Sequence, residues 1–79
     1  MIRMQILTPE WQRELDADAV WLPGSAGAFE VLPGHAPIIS TLDEGRLRWR
    51  AKGKEETLSI RCGAVRLHDG ILQICVEEA

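Results

Sequence analysis

The chain has 79 residues and a formal net charge of −3. This length makes a single domain, residues 1–79, which buries only about 60% of the surface of its unfolded chain. The negative charge argues against a nucleic-acid-binding protein. Apolar runs are too short for a transmembrane helix, and residues 1–4 lack the apolar core of a secretory signal. We therefore expect a cytoplasmic location, with any membrane link made through a partner.

Alternating apolar and polar residues predict short strands separated by turns. The first strand covers Met1–Leu7 and is ended by Pro9. The segment Glu10–Leu15 is too short to form an isolated helix, and we interpret it as a loop or a short edge strand. Further strands are predicted at residues 17–22, 26–32 and 37–42.

Basic residues recur at every second position between residues 46 and 54 and alternate with apolar ones. This spacing predicts a strand with one basic face and one core face. The basic face is either a solvated surface that discourages edge pairing or a site for an anionic partner. Its members are Arg46, Arg48, Arg50, Lys52 and Lys54.

Three more strands are predicted at residues 57–62, 64–68 and 71–76. Gly63 is expected to break or bulge the chain, and Asp69-Gly70 is a strong hairpin signal. About eight to ten short strands without a long helix predict an all-β fold, a small antiparallel β-sandwich or flattened barrel. The expected core is Ile2, Met4, Ile6, Val20, Leu22, Phe29, Val31, Ile38, Leu47, Trp49, Leu58, Ile60, Val65, Leu67, Leu72, Ile74 and Val76.

Reactive side chains are few. We expect Cys62 and Cys75 to be buried as small hydrophobic residues, because both lie in apolar strands. Together with His35 and His68, the two cysteines have the residue types of a zinc site, but they lack zinc-finger spacing. A Cys–His nucleophile is also conceivable, but no glycine-rich anion cradle accompanies it. We therefore expect no catalytic, cofactor-binding or metal-binding residues. A small metal- or thiol-dependent enzyme is the least favoured alternative.

The stretch Val20–Pro37 reads VWLPGSAGAFEVLPGHAP, with two Leu-Pro-Gly corners and a His-Ala-Pro motif. Together with Leu7–Glu10, Gly45–Arg48 and Cys62-Gly63, it resembles the N-terminal β-sandwich domain of the epsilon subunit of F-type ATP synthases. The resemblance implies a non-catalytic rotor subunit that docks the gamma subunit onto the c-ring and couples proton flow to ATP synthesis. It also implies a peripheral position on the cytoplasmic face of the cell membrane, as part of the complex.

The resemblance further implies which residues face the ring. Members often carry Gly-Glu-Phe-Gly where this chain has Gly27-Ala28-Phe29-Glu30, so the carboxylate stands two residues later on the same strand face. The c-ring side is expected to include Thr8, Ala28 and Glu30.

The gamma side is expected to include His35, Ile38 and Ser40. From the residues alone, His35 has two alternative roles, bonding loop carbonyls at its Pro-Gly corner or contacting a partner.

Most bacterial members of the family continue into a two-helix hairpin that binds ATP or blocks rotation. This sequence stops at Ala79, so we expect no nucleotide binding. The natural protein is either a short form or a longer chain of which this sequence is a truncation.

A second function, from a different class, is a free-standing β-sandwich that binds an anionic ligand. The ligand would lie on the face formed by Arg46, Arg48 and Arg50. Such binding is expected to weaken with salt and to be lost when these arginines are removed.

Overall fold

The computed structural model describes residues 1–79 as eight strands without a helix, so the all-β prediction is confirmed. No helix in it is long and apolar enough to cross a membrane. The strands are β1 (Ile2–Leu7), β2 (Gln12–Ala17), β3 (Ala19–Leu22), β4 (Phe29–Val31), β5 (Ile38–Leu42), β6 (Gly45–Ala51), β7 (Lys54–His68) and β8 (Ile71–Glu78).

Strand β7 connects two layers of the fold. Its first half pairs with β6, its second half pairs with β5, and its other edge pairs with β8. The five-stranded layer is β2-β1-β8-β7-β5, and the four-stranded layer is β7-β6-β3-β4. One continuous core lies between them. All neighbouring strands are antiparallel except β1 and β8, which are parallel, so the antiparallel prediction misses that pair.

A β-bulge between Ile60 and Cys62 marks the point where β7 passes between the layers. The bulge leaves two consecutive residues, Arg61 and Cys62, exposed, so the inward positions change from even to odd numbers. The prediction that Cys62 points inward is therefore wrong. The strands predicted at 57–62 and 64–68 form one continuous strand, because the chain bulges there without breaking.

The predicted core is buried except at three positions. Phe29, Ile38 and Leu58 are half-buried and pack against the core from its rim. The prediction also missed Ala17, Ala19 and Leu42, which are buried. The two alanines flank the point where the chain leaves β2 for β3. The strand predicted at 26–32 is shorter because a loop occupies 26–28.

The basic segment 46–54 is not one strand. Strand β6 ends at Ala51, and Lys52 and Gly53 form a two-residue turn with φ values of 52° and 74°. Both positive φ values are those of the tight hairpin turns that suit twisted strands. The prediction of five basic residues on one face is therefore wrong, since Lys52 lies in the turn and Lys54 begins β7.

Gly63 lies where β7 approaches β8 closely, opposite Val76. A Cβ atom placed on Gly63 would stand 2.5 Å from the carbonyl oxygen of Cys75 and 2.6 Å from Cγ1 of Val76. The backbone contact cannot be relieved by turning a side chain. Glycine is therefore required here by space, next to the bulge that joins the layers.

We expect Gly63→Ala to lower the free energy of unfolding by about 1–3 kcal/mol, because strand β8 must move to admit the methyl group. For a domain of this size, each kcal/mol corresponds to roughly 4–8 °C in Tm. The matched control is Ala64→Ser, on the exposed face of the same strand, which should leave the Tm unchanged. Thermal unfolding followed by circular dichroism measures both, and equal Tm values for Gly63→Ala and the parent chain would refute the packing argument.

A cross-layer ion pair closes the side of the sandwich near β2. Arg13 of β2 donates two hydrogen bonds of 3.0 Å to the carboxylate of Glu56 on β7. The same guanidinium lies 5.8 Å from the ring centroid of Trp49, a buried residue of β6. Hydrogen bonds from Arg13 lower the pKa of Glu56 below its ordinary value of 4.5.

A carboxyl group whose pKa is lowered by folding stabilises the folded state at pH values above its pKa in the unfolded chain. This stabilisation is lost as the pH falls through the pKa of the folded state. Both side chains are nearly half-exposed, at 47% and 45%, so we expect Glu56→Gln to cost at most about 1 kcal/mol at neutral pH. The difference should vanish well below pH 4.5, where Glu56 itself is protonated. Urea unfolding at neutral and acid pH tests this. Glu55→Gln is the control, because its nearest guanidinium atom is 3.7 Å away and the pair lies within one layer.

Candidate partner-binding surfaces

Two loops of the predicted c-ring side lie at the same end of the molecule, where β1, β5 and β8 finish. We call this the corner end. The β1–β2 loop carries Thr8, and the β3–β4 loop covers residues 23–28. A row of paired or hydrogen-bonded residues connects the two loops across the sheet: Leu7, Cys75, Ala64, Thr41 and Ser25.

Thr8 shapes its own loop. Its Oγ1 accepts hydrogen bonds from the backbone N–H groups of Trp11, at 3.0 Å, and Glu10, at 3.2 Å. The backbone N–H of Thr8 donates to the carbonyl of Trp11 at 2.9 Å, which closes the turn between β1 and β2. The Thr8 side chain is half-buried. It therefore holds the loop that a partner would meet.

The β3–β4 loop is fixed to the end of β5 by side chains. Ser25 donates a hydrogen bond of 2.8 Å to Asp43, and Thr41 donates one of 2.8 Å to Ser25. The backbone N–H of Asp43 donates to the carbonyl of Pro23 at 2.9 Å. These bonds join the chain after β3 to the turn between β5 and β6, so the loop keeps a defined shape although it is exposed.

Ala28 and Glu30 are both exposed, on the same side of the chain. Glu30 lies in β4 opposite Trp21 and makes no ion pair. It stands two residues beyond Ala28, roughly 7 Å further from the corner end. The carboxylate is therefore set back from the loop tips, on the outer surface of the four-stranded layer.

Two of the gamma-side residues, His35 and Ile38, lie towards the opposite end, whereas Ser40 is at the middle of β5, next to Thr41. The turn Leu32–His35 is closed by a hydrogen bond of 3.1 Å from the His35 N–H to the carbonyl of Leu32. The His35 ring is exposed, and its Nδ1 lies 2.7 Å from the carbonyl oxygen of Ala36. This contact fits the first of the two roles left open for His35, and the exposed ring leaves the second a prediction.

Strand β5 presents a side chain that the sequence analysis missed. Ile38 packs against the core and Ser40 is half-buried, but Ile39 is 83% exposed on the outer face. Consecutive isoleucines in a strand place one of the two outside, and this was the available signal. An isolated exposed isoleucine is ordinary, but one beside the predicted gamma-side residues becomes a candidate contact.

The cysteines are exposed, so the prediction that they are buried is wrong. Cys62 faces outward because of the bulge. Cys75 faces outward because it alternates with the inward residues of β8. The thiol of Cys62 donates a hydrogen bond of 3.5 Å to the carboxylate of Glu77, which raises the pKa of Cys62. A raised pKa opposes thiolate formation, and the strand pairings place both cysteines near the corner end, away from His35 and His68.

The three exposed arginines of β6 form the basic face of the four-stranded layer. Trp21 lies between two of them, with the Arg48 guanidinium 4.4 Å and the Arg50 guanidinium 5.7 Å from its ring centroid. Arg48 also approaches Glu55 at 3.7 Å. The anion-site residues named from the sequence therefore do lie together, on an open surface.

Comparison with known proteins gives a match over residues 1–79 to the family described as ATP synthase, Delta/Epsilon chain, beta-sandwich domain. The ATP synthase epsilon chain of Leptospira interrogans is 34% identical over 79 residues, covering 96% of this chain and 61% of the relative. That of Bdellovibrio bacteriovorus is 43% identical over 58 residues, covering 70% and 41%. The chain thus spans about half the length of these relatives.

Solved structures give the same fold. A chain of the Euglena gracilis mitochondrial ATP synthase (OSCP/F1/c-ring, rotational state 1) has a TM-score of 0.88 and 22% identity, covering 95% of this chain and 49% of that one. A chain of the Tetrahymena thermophila mitochondrial ATP synthase (central stalk/c-ring) has a TM-score of 0.84 and 16% identity, covering 98% and 63%. With the family match over its whole length, this chain belongs to the family of ATP synthase delta/epsilon β-sandwich domains.

Proposed function

We propose that this chain is a non-catalytic central-stalk domain of a proton-translocating ATP synthase. In this role it docks the gamma subunit onto the c-ring and helps to couple proton flow to ATP synthesis. The observation that carries the proposal is the family match over all 79 residues. The domain would act peripherally, on the cytoplasmic face of the membrane that holds the complex.

The construction of the domain suits a part that transmits force. Strand β7 belongs to both layers, and one continuous core fills the space between them. Close-packed interiors deform little under load. Because the layers share a strand and a core, a push at the corner end is transmitted through paired backbone to the opposite end.

The predicted partner residues support two separate surfaces. Thr8 and Ala28 lie at the corner end, with Glu30 set back from them on β4, and these form the proposed c-ring side. His35, Ile38 and Ser40 form the proposed gamma side, with His35 in the turn at the opposite end and the other two on β5. A domain held between two larger partners needs contacts that do not compete for the same surface, and this separation provides them.

Glu30 and Ile39 carry different chemistry on the two sides. The Glu30 carboxylate is exposed and makes no ion pair, so it is available to basic groups on the polar loops of the ring. Ile39 presents an exposed apolar side chain beside Ser40, suited to burial against an apolar part of gamma. The ring contact is thus proposed to be electrostatic and the gamma contact apolar.

Glu30→Lys should weaken binding to a purified c-ring about tenfold, because it replaces attraction to basic loops by repulsion. The fold should be unchanged, since the side chain is exposed. Affinity is measured by surface plasmon resonance, and folding by circular dichroism. Asp18→Lys is the control, with the same charge change at the opposite end. If Glu30→Lys binds the ring as the parent does, Glu30 has no place in the ring contact. If it unfolds the domain, the assignment of Glu30 to the outer face is wrong.

Ile39→Asp should weaken binding to purified gamma at least tenfold, because a carboxylate would be buried in place of an apolar side chain. Calorimetry on the gamma–domain pair gives the affinity. The control is Thr57→Asp, an exposed strand residue on the outer face of the four-stranded layer, which should bind gamma normally. Equal affinity for the two variants would remove Ile39 from the gamma surface.

A further inference from the structure

We propose that the outer face of the four-stranded layer is a separate docking surface for an acidic segment of a partner polypeptide. The surface, which we call the basic face, consists of Arg46, Arg48 and Arg50 of β6 together with Trp21 of β3. It is distinct from the proposed gamma side on β5 and borders Glu30 of the proposed c-ring side, which lies opposite Trp21. It does not depend on the proposed function.

The position of β6 removes the simplest structural explanation for its arginines. Basic residues on a strand commonly protect a sheet edge from pairing with another chain. Strand β6 is an inner strand at Arg48 and Arg50, which pair with β3 on one side and with β7 on the other, whereas Arg46 pairs with β7 alone. Arg48 and Arg50 therefore guard no open edge, and the common direction of the three arginines leaves a concentrated positive surface on a chain whose net charge is −3.

Little of this charge is neutralised within the chain. Arg46 and Arg50 make no ion pair, and Arg48 approaches one carboxylate, that of Glu55, at 3.7 Å. Both members of that pair are about half-exposed, at 47% and 49%, where such a contact is weak. By contrast, Arg3 and Arg13 elsewhere on the surface each make hydrogen-bonded ion pairs with carboxylates. The basic face thus keeps donors available for an external carboxylate.

Trp21 holds two of the arginines in place. The Arg48 guanidinium lies 4.4 Å and the Arg50 guanidinium 5.7 Å from the indole centroid, within the range of cation–π attraction. A guanidinium over an aromatic ring keeps its N–H edges free for a carboxylate. Because the side chains are already ordered, less conformational entropy is lost when a partner binds. Arginine and tryptophan are also the residues most often found at the energetic centres of protein interfaces.

The geometry favours a polypeptide over a small anion or a lipid surface. The backbone N–H groups of a central strand are used in sheet pairing, so no nest of donors encloses a phosphate. Two exposed carboxylates, Glu30 and Glu55, flank the arginines and would repel a densely charged anionic lipid surface. Alternate residues of β6 stand roughly 7 Å apart, which matches the spacing of alternate carboxylates in an extended acidic segment.

The test is an NMR titration of this chain with a synthetic peptide of alternating glutamate and serine at low ionic strength. We expect the Trp21 indole N–H and the amides of β6 to shift. The triple variant Arg46→Gln, Arg48→Gln, Arg50→Gln should bind at least about tenfold more weakly. Arg48→Lys, which keeps the charge but loses the planar stacking, should bind about two- to threefold more weakly. If the triple variant does not fold, Arg46→Gln alone should still weaken binding about threefold.

The matched control for Arg46→Gln is Arg66→Gln, which also removes one exposed arginine but lies on β7 opposite Ile39, outside the basic face, and should bind the peptide as the parent does. If the control variant loses as much affinity for the peptide, the effect comes from net charge alone and the proposal is overturned. Equal binding of a glutamine–serine peptide would also overturn the proposal, and so would binding of inorganic phosphate or anionic lipid vesicles as tight as that of the acidic peptide.

Discussion

The fold depends on a single unbroken strand that belongs to two layers. Strand β7 pairs with β8 and β5 in one layer and with β6 in the other, and the bulge after Ile60 allows it to do both. Without the bulge, the inward positions of its two halves could not both meet the core, since they differ in parity. The close approach at Gly63 follows from the same constraint, because β8 must follow β7 around this bend.

Most of the strands could be predicted because their inward residues alternate strictly, as in β1 and β8. The failures occur where a backbone irregularity overrides alternation. Strict alternation predicts that Cys62 is buried, but the bulge lies between Ile60 and Cys62, before Gly63, where the glycine predicts it. Alternation also predicts a strand through Lys52, because the turn at Lys52 contains no proline and no Asp-Gly pair to mark it. The partnership of β1 with β8 has no local signal, since it joins residues nearly a chain length apart.

The candidate surfaces were less predictable than the fold. Family resemblance predicts contacts at Thr8, Glu30 and His35, but the hydroxyl of Thr8 bonds within its own loop, and the pairing of β4 sets Glu30 back from the corner end. Ile39 is absent from the predicted contacts because the resemblance points only to its neighbours Ile38 and Ser40. The basic face was visible as a charge pattern, but its significance depends on β6 being an inner strand, which only the sheet order establishes.

The parallel pairing of β1 with β8 also bears on how the protein is made. The first strand leaves the ribosome early, but its neighbour on one side is the last strand of the sheet. Until residues 71–78 have emerged, β1 has only β2 beside it, and a two-stranded hairpin is barely stable in water. Pairing between such distant segments makes folding slow. The core between the two layers can therefore close only after the C-terminal strand is available to pair with β1.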